Sequence, residues 1–163
     1  MNEIAKIIHG TLHAGMPVEI LEYNIDSRSV VTPEHTLFFA LTGNNHNGHD
    51  YIKTLYSDGV RAFVISEFRE EFKLLTGANL IIVEDVLAAL QQLATYHRQH
   101  TQAEIIGITG SNGKTVVKEW LYQLLANDHS VYRSPRSYNS QVGVPLSLLA
   151  VSYTHLTLPT TSR

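Results

Sequence analysis

Apolar residues in this chain alternate between short continuous runs and helix-spaced stripes, the rhythm of an α/β protein. A short amphipathic start at Ile4 to Ile8 is broken by Gly10, and the alternation from Val18 to Tyr23 predicts a strand that empties into a polar loop at Asp26-Ser27-Arg28. Thr36 to Leu41 (TLFFAL) lies between Pro33 and Gly43, the pattern of a strand buried on both faces, and the polar loop GNNHNGHD follows it. Tyr51, Ile52, Leu55 and Tyr56 recur at helical spacing, with Gly59 placed to stop that helix. Arg61 to Ser66 and Asn79 to Val83 predict two more strands. Asp85 can cap a helix whose Val86, Leu90, Leu93, Ala94 and His97 share one face, closing a first unit near His100.

A second rhythm starts beyond residue 102. Glu104 to Ile108 predicts a buried strand running into the glycine-rich segment Thr109-Gly110-Ser111-Asn112-Gly113-Lys114-Thr115. Val116, Trp120, Leu121 and Leu124 then mark an apolar helix face. No repeat and no flexible linker separates the two units.

Composition narrows the picture without changing it. The 163 residues can hold one ordinary domain, or a small one and part of a second. With 44% hydrophobic and 17% charged residues the chain can bury a core. A formal charge of -3 provides no broad basic surface, so a nucleic-acid partner is not expected. The absence of cysteine excludes disulfides, thiolate zinc sites and a cysteine nucleophile. No stretch approaches the roughly 18 apolar residues of a membrane span, so no membrane insertion is expected and the cytoplasm is the expected compartment. Nine histidines invite a metal reading, but His46 and His49 share a loop that lacks the further ligands of a closed site.

Strand, glycine loop and helix together are the context of a phosphate loop. Glycines let backbone N–H groups turn toward an anion, and the helix N-terminus adds partial positive charge. Lys114 is placed to reach the β and γ phosphates of ATP, and Thr115 offers its hydroxyl to Mg²⁺. These two are the catalytic candidates, and Thr109 to Thr115 the nucleotide-binding ones. The general pattern G-x-x-x-x-G-K-S/T requires glycine five residues before Gly113, where Ile108 stands. The competing reading is a glycine-rich turn carrying a solvated lysine.

The segment Ile108 to Thr115 closely resembles the variant phosphate loop of the Mur ligase family. Asp26-Ser27-Arg28, the run Thr36 to Gly43, Asn47-Gly48-His49 and the segment Ser137 to Pro145 agree with it in order and spacing. Together they resemble the D-alanyl-D-alanine-adding, MurF-type branch. That resemblance implies an α/β fold: a small N-terminal substrate domain over 1–102, then the truncated start of a parallel-sheet P-loop ATPase domain over 103–149. It implies that Ser27, Arg28, Gly43, Asn47, Gly48 and His49 hold the UDP part of a substrate, with Asn47 standing where the family has aspartate. Asn139, with Gly143 and Pro145, is implied to line the place where substrate and phosphate meet.

The implied reaction is ATP-dependent. The carboxylate of UDP-MurNAc-tripeptide is phosphorylated, the amine of D-alanyl-D-alanine attacks the acyl phosphate, and amide, ADP and phosphate result. A monomeric ligase module with Mg²⁺ is expected. The wording from Tyr132 to Pro145 is closest to a form fused ahead of an alanine racemase. Other Mur-type ligases, adding another amino acid or extending folate with glutamate, share the phosphate loop and remain open, as does a non-catalytic nucleotide-sugar-binding module.

Val151 to Thr160 (VSYTHLTLPT) resembles a translated sequencing adapter, so residues 150–163 are expected to be a non-native tail; the competing reading is a β-prone segment with a proline turn. The family's remaining catalytic residues would then lie beyond this chain, which alone is expected to be inactive. Residues 104–150 are expected to pack poorly for want of neighbouring strands.

Overall fold

Strands whose sequence is apolar at every position need cover on both faces, and the fold supplies it. The structure is a computed structural model describing residues 1–43, 46–135, 138 and 140–155, with backbone only over 152–155. In chain order it runs α1 (Asn2–Ile7), β1 (Thr11–His13), β2 (Glu22–Asn24), β3 (Thr36–Phe39), α2 (Ile52–Ser57), β4 (Ala62–Ile65), β5 (Asn79–Ile82), α3 (Val86–His100), α4 (Lys114–Leu125) and α5 (Gly143–His155). Short 3-10 turns at Pro33–His35, Gly48–Tyr51 and Glu70–Leu74 connect them.

The five strands form one sheet in the order β1-β5-β4-β3-β2. The pairs β2–β3, β3–β4 and β4–β5 are parallel, and β1 closes the far edge antiparallel to β5. Side chains of a strand alternate between faces. Leu37, Phe39, Ala62, Val64 and Ile81 therefore meet α1, α3 and α5, while Phe38, Phe63, Ile65 and Leu80 meet Ile52 and Leu55 of α2 and Phe72 of the 3-10 turn.

Each expected element of the first hundred residues is present, with local differences. The strand expected over 18–23 forms only at Glu22–Asn24, past Pro17. The edge strand β1 was not anticipated: three residues are too short for an alternation to register. Gly59, with φ +110°, ends α2 as expected. The Asp85 side chain accepts from the backbone N–H groups of Leu87 and Ala88 at 2.7 and 3.1 Å, capping α3. Val86, Leu90, Leu93 and Ala94 are buried along the predicted face, whereas His97 is only half-buried.

Beyond residue 102 the outcome divides. Glu104 to Ile108 forms no strand, and Ile105 and Ile106 are 39% and 62% exposed. A strand is stabilised by its ladder partners, and among the described residues no strand follows β5 to supply one. Helix α4 forms as expected, but none of its residues is buried. Helix α5 was read from sequence only as loop residues up to Pro145, yet it packs on α3 and β2 and buries Leu149. The expectation of poor packing thus holds for 104–135 and fails for α5. Proline is tolerated near the start of that helix because N–H groups in a first turn have no intrahelical acceptor.

Candidate functional site

In a parallel sheet all the strands point their C-terminal ends the same way, so the loops after β2, β3, β4 and β5 gather along one edge. Asn24, the last residue of β2, is buried and shapes the first of these loops. Its side-chain oxygen accepts from the backbone N–H of Ile25 and Asp26 at 2.7 and 2.9 Å and from the Ser29 hydroxyl at 3.2 Å. Its amide nitrogen donates to Glu22. The Glu22 carboxylate also accepts from the Thr32 N–H and from the hydroxyls of Thr32 and Thr36, each at 3.0 Å, pinning the connection to β3. Burial pushes the Glu22 pKa up, but the hydrogen bonds from Thr32, Asn24 and Thr36 outweigh it and hold the group below the ordinary value.

Ser27 and Arg28 sit on the turn that Asn24 organises. Arg28 is 86% exposed in its side chain and donates through Nε and Nη2 to Asp26, both at 2.9 Å. Those bonds hold the Asp26 carboxyl at about 2. The Arg28 charge also lies within electrostatic reach of Tyr51, at the end of the next loop.

That second loop, between β3 and α2, is built around a close crossing. The Gly48 N–H donates to the Leu41 carbonyl at 2.8 Å, and a Cβ on Gly48 would stand 2.7 Å from Ala40 Cα, so only glycine lets the chain pass here. The Gly43 N–H donates to the His46 carbonyl, and Thr42 bridges Asn47. Past the crossing, the His49 ring drops into the fold and is 1% exposed. Its Nδ1 lies 2.7 Å from Asn47 Oδ1, and its Nε2 accepts from the backbone N–H groups of Ser66 and Glu67 at 3.1 and 3.2 Å. Burial, then the nearby Arg69 charge, lowers the His49 pKa. Arg69 in turn pairs with Asp50 at 2.7 Å and Glu67 at 3.1 Å. Beyond the C-terminal ends of β3, β4 and β5 lies an open cleft of about 290 Å³ lined by Leu41, Thr42, Ser66, Glu84 and the start of α3 from its cap Asp85.

The phosphate-loop candidates lie apart in sequence and are exposed or half-exposed. Gly110 and Gly113 have φ of +142° and +78°, conformations that glycine alone adopts readily. Gly113 is the N-cap of α4, and Lys114 begins the helix. Lys114 Nζ folds back to donate to the carbonyls of Gly110 and, at 3.5 Å, Ser111. Thr115 stands exposed in the first turn, and nothing lies within 4 Å of where a Gly113 Cβ would be. Open space, a lysine ammonium, backbone donors and a hydroxyl fit a nucleotide phosphate and its Mg²⁺. Asn139 lies outside the described residues, as do 156–163 at the end of the expected tail.

Of the substrate candidates, Ser27, Arg28, Gly43, Asn47, Gly48 and His49 all fall on the two loops at the sheet's C-terminal edge. Gly48 and His49 work from inside, shaping the loop. Sequence reasoning missed Glu22 and Asn24, whose signal was polar residues at the end of a predicted strand.

Two family models match: "Mur ligase family, catalytic domain" over residues 19–98 and "Mur ligase middle domain" over residues 108–158. The UDP-N-acetylmuramoyl-tripeptide–D-alanyl-D-alanine ligase of Bacillus subtilis is 30% identical over 93% of this chain and 33% of its own length. The ligase of the same name from Borreliella burgdorferi is 36% identical, over 79% of this chain and 29% of that protein. Among solved structures, MurF from Acinetobacter baumannii superposes with a TM-score of 0.80 at 26% identity, covering 94% of this chain and 33% of that one. MurF ligase from Thermotoga maritima in complex with ADP gives a TM-score of 0.65 at 31% identity, covering 78% and 28%. The chain spans about a third of the length of these relatives. Matched in chain order by both Mur ligase models across its sheet and its glycine-rich segment, and similar along most of its length to MurF ligases, the chain belongs to the Mur ligase family.

Proposed function

We propose that this chain is the substrate-binding and phosphate-loop part of an ATP-dependent ligase that joins D-alanyl-D-alanine to UDP-MurNAc-tripeptide in peptidoglycan precursor synthesis. The observation that carries the reading is the glycine-framed start of α4, with Gly113 in the left-handed region directly before Lys114 and Thr115. It is supported by the names of the MurF relatives and by the ADP in one of the superposed structures.

In this reading the loops carrying Ser27, Arg28, Gly43 and Asn47 take the UDP portion, where an arginine fork suits a diphosphate. Backbone N–H groups of residues 109–115 hold the nucleotide phosphates and Lys114 balances their charge, which is positioning and electrostatics rather than covalent catalysis. Mg²⁺, held through the Thr115 hydroxyl, would supply charge neutralisation at the transferring phosphoryl group. Asn139 would stand near that group. A cytoplasmic, monomeric ligase module belongs to the same proposal, as does a fusion ahead of an alanine racemase, for which the wording of 132–145 speaks. No helix among the described residues is long and apolar enough to cross a membrane.

Calorimetric titration of the 163-residue chain with UDP-MurNAc-tripeptide and with Mg·ATP tests the two binding halves of the proposal. Both should bind, and Lys114→Ala should remove only the second. In a protein extended to the length of its relatives, phosphate release should require both UDP-MurNAc-tripeptide and D-alanyl-D-alanine; release that ignores either substrate sinks the ligase reading.

A further inference from the structure

Helix α4 covers its polar side and leaves its apolar side bare. Val116, Trp120 and Leu124 are exposed, whereas the Lys118 side chain is only 16% exposed. The cover is the chain that follows the helix. Lys118 Nζ donates to the Ser134 carbonyl at 2.8 Å, a charge-assisted bond. The neighbouring Arg133 pairs with Glu119 and lays its guanidinium 4.1 Å over the Tyr122 ring. Residues 133–134 are thereby strapped to α4 one turn beyond Lys114.

From this strap a run of close contacts leads back to the sheet. The Tyr138 N–H donates to the Pro135 carbonyl at 3.3 Å, closing a turn. Tyr138 lies against the start of α5, where a Cβ on Gly143 would stand 2.8 Å from Tyr138 Cα. The Gly143 N–H donates to the Ser140 hydroxyl at 3.0 Å, and Gln91 of α3 donates to the Gln141 carbonyl at 3.2 Å. Leu149 of the same helix then enters the core that the sheet shares with α3.

The other covalent route between the sheet and α4 is less constrained. Residues 102–108 form no strand, Ile106 is exposed, and no residue of α4 is buried, so no core of its own seats the helix. We propose that Lys118 is a positioning residue: through the contacts that run from Ser134 to Gly143, it sets the separation between the sheet body and the glycine-rich segment at the head of α4. This rests on the reading under Proposed function, in which a substrate held by the loops of the sheet must bring its carboxylate to the terminal phosphate of ATP. In that reading Lys118 acts only through where α4 stands. A fixed separation brings the two bound ligands together without a search, which is the gain that prior orientation gives to a reaction between two partners.

The test uses the 163-residue chain. It contains no cysteine, so nitroxide labels on Gln92→Cys of α3 and Gln123→Cys of α4, both at exposed positions, report a single distance by pulsed electron resonance. With Lys118 in place the distribution should be narrow. Lys118→Met should broaden it at least about twofold, and Lys118→Arg, which keeps a cationic donor, should restore it. Melting temperatures should stay close together across the three, because Lys118 supports no part of the core. Calorimetry on the unlabelled chain supplies the second readout. UDP-MurNAc-tripeptide should tighten Mg·ATP binding about fivefold or more, and Lys118→Met should remove that tightening while leaving each ligand's separate affinity within about twofold. A Lys118→Met distribution as narrow as that of the parent, or a parent distribution as broad as that of the variant, overturns the positioning role. So does a tightening that survives Lys118→Met or is absent from the unaltered chain when both ligands bind. Failure of the unaltered chain to bind UDP-MurNAc-tripeptide instead removes the substrate reading, and the label distances still decide whether Lys118 sets the separation.

Discussion

The sheet body and the segment from 103 to 135 are written in the same kind of sequence and end in opposite states. Phe39, Ala62 and Phe63 of the central strands are wholly inaccessible, whereas Trp120 and Leu124 of α4 are 62% and 71% exposed. Each region has an apolar run followed by an apolar-periodic helix. The helix forms in both, because its hydrogen bonds join residues four apart and need no other element. The strand forms only where neighbouring strands complete its ladder, as β3 does between β2 and β4. Periodicity therefore reports what an element would bury, and partners decide whether it is buried.

The largest effect should separate the two regions directly. Phe39→Ala should cost about 3–5 kcal/mol in denaturant unfolding, while Trp120→Ala should stay within about 0.5 kcal/mol. Equal costs would mean that α4 is packed in solution.

Helix α5 sharpens the boundary of the comparison. It follows the exposed segment in sequence but lies against α3, where Gln91 also donates to the Gln141 carbonyl at 3.2 Å. Leu149→Ala should cost about 2–4 kcal/mol and Leu124→Ala little, although both are helix leucines beyond residue 102. An inconsequential Leu149→Ala would return α5 to the loose region.

The two helix starts offer a smaller contrast. Asp85→Ala removes the side-chain cap of α3 and should cost about 1 kcal/mol in the same assay. Helix α4 starts at Gly113 without a side-chain cap, so its N–H groups remain available to an anion. Phosphate-bearing ligands should accordingly order α4 without changing the unfolding of the sheet body, which amide exchange resolved by residue would show.

The smallest effects concern pH. His49 has a folded pKa below its unfolded value of about 6.5, so its contribution is present above that value and is lost as pH falls toward the folded pKa. Half-buried His97, lowered by burial, acts in the same direction. Unfolding free energy should therefore decline from pH 7 toward 5, and less steeply in His49→Gln. Asp26 acts in a lower window: its stabilisation is present above about 3.9 and is lost as pH falls toward about 2. Arg28→Ala should move the Asp26 titration up toward the ordinary range, the backbone N–H of residue 28 still holding it somewhat below, and lower the melting temperature only slightly, as befits an exposed pair.

Much of this molecule could be read before it was folded. The continuous run TLFFAL announced a strand covered on both faces, Asp85 announced a cap, and Gly59 a stop, because each is a local demand that one residue type satisfies. The glycines before α4 were legible for the same reason, since a positive φ at 110 and 113 selects glycine whatever surrounds it. Tertiary structure alone decided the rest. That Gly48 exists for a backbone crossing at Ala40, that Asn24 and Glu22 brace the loop bearing Arg28, and that the His49 ring turns inward to the end of β4 all depend on chain segments far apart in sequence. Hydrophobic period carries no record of which element will lie alongside, so neither the burial of Leu149 nor the exposure of Trp120 could be read from it.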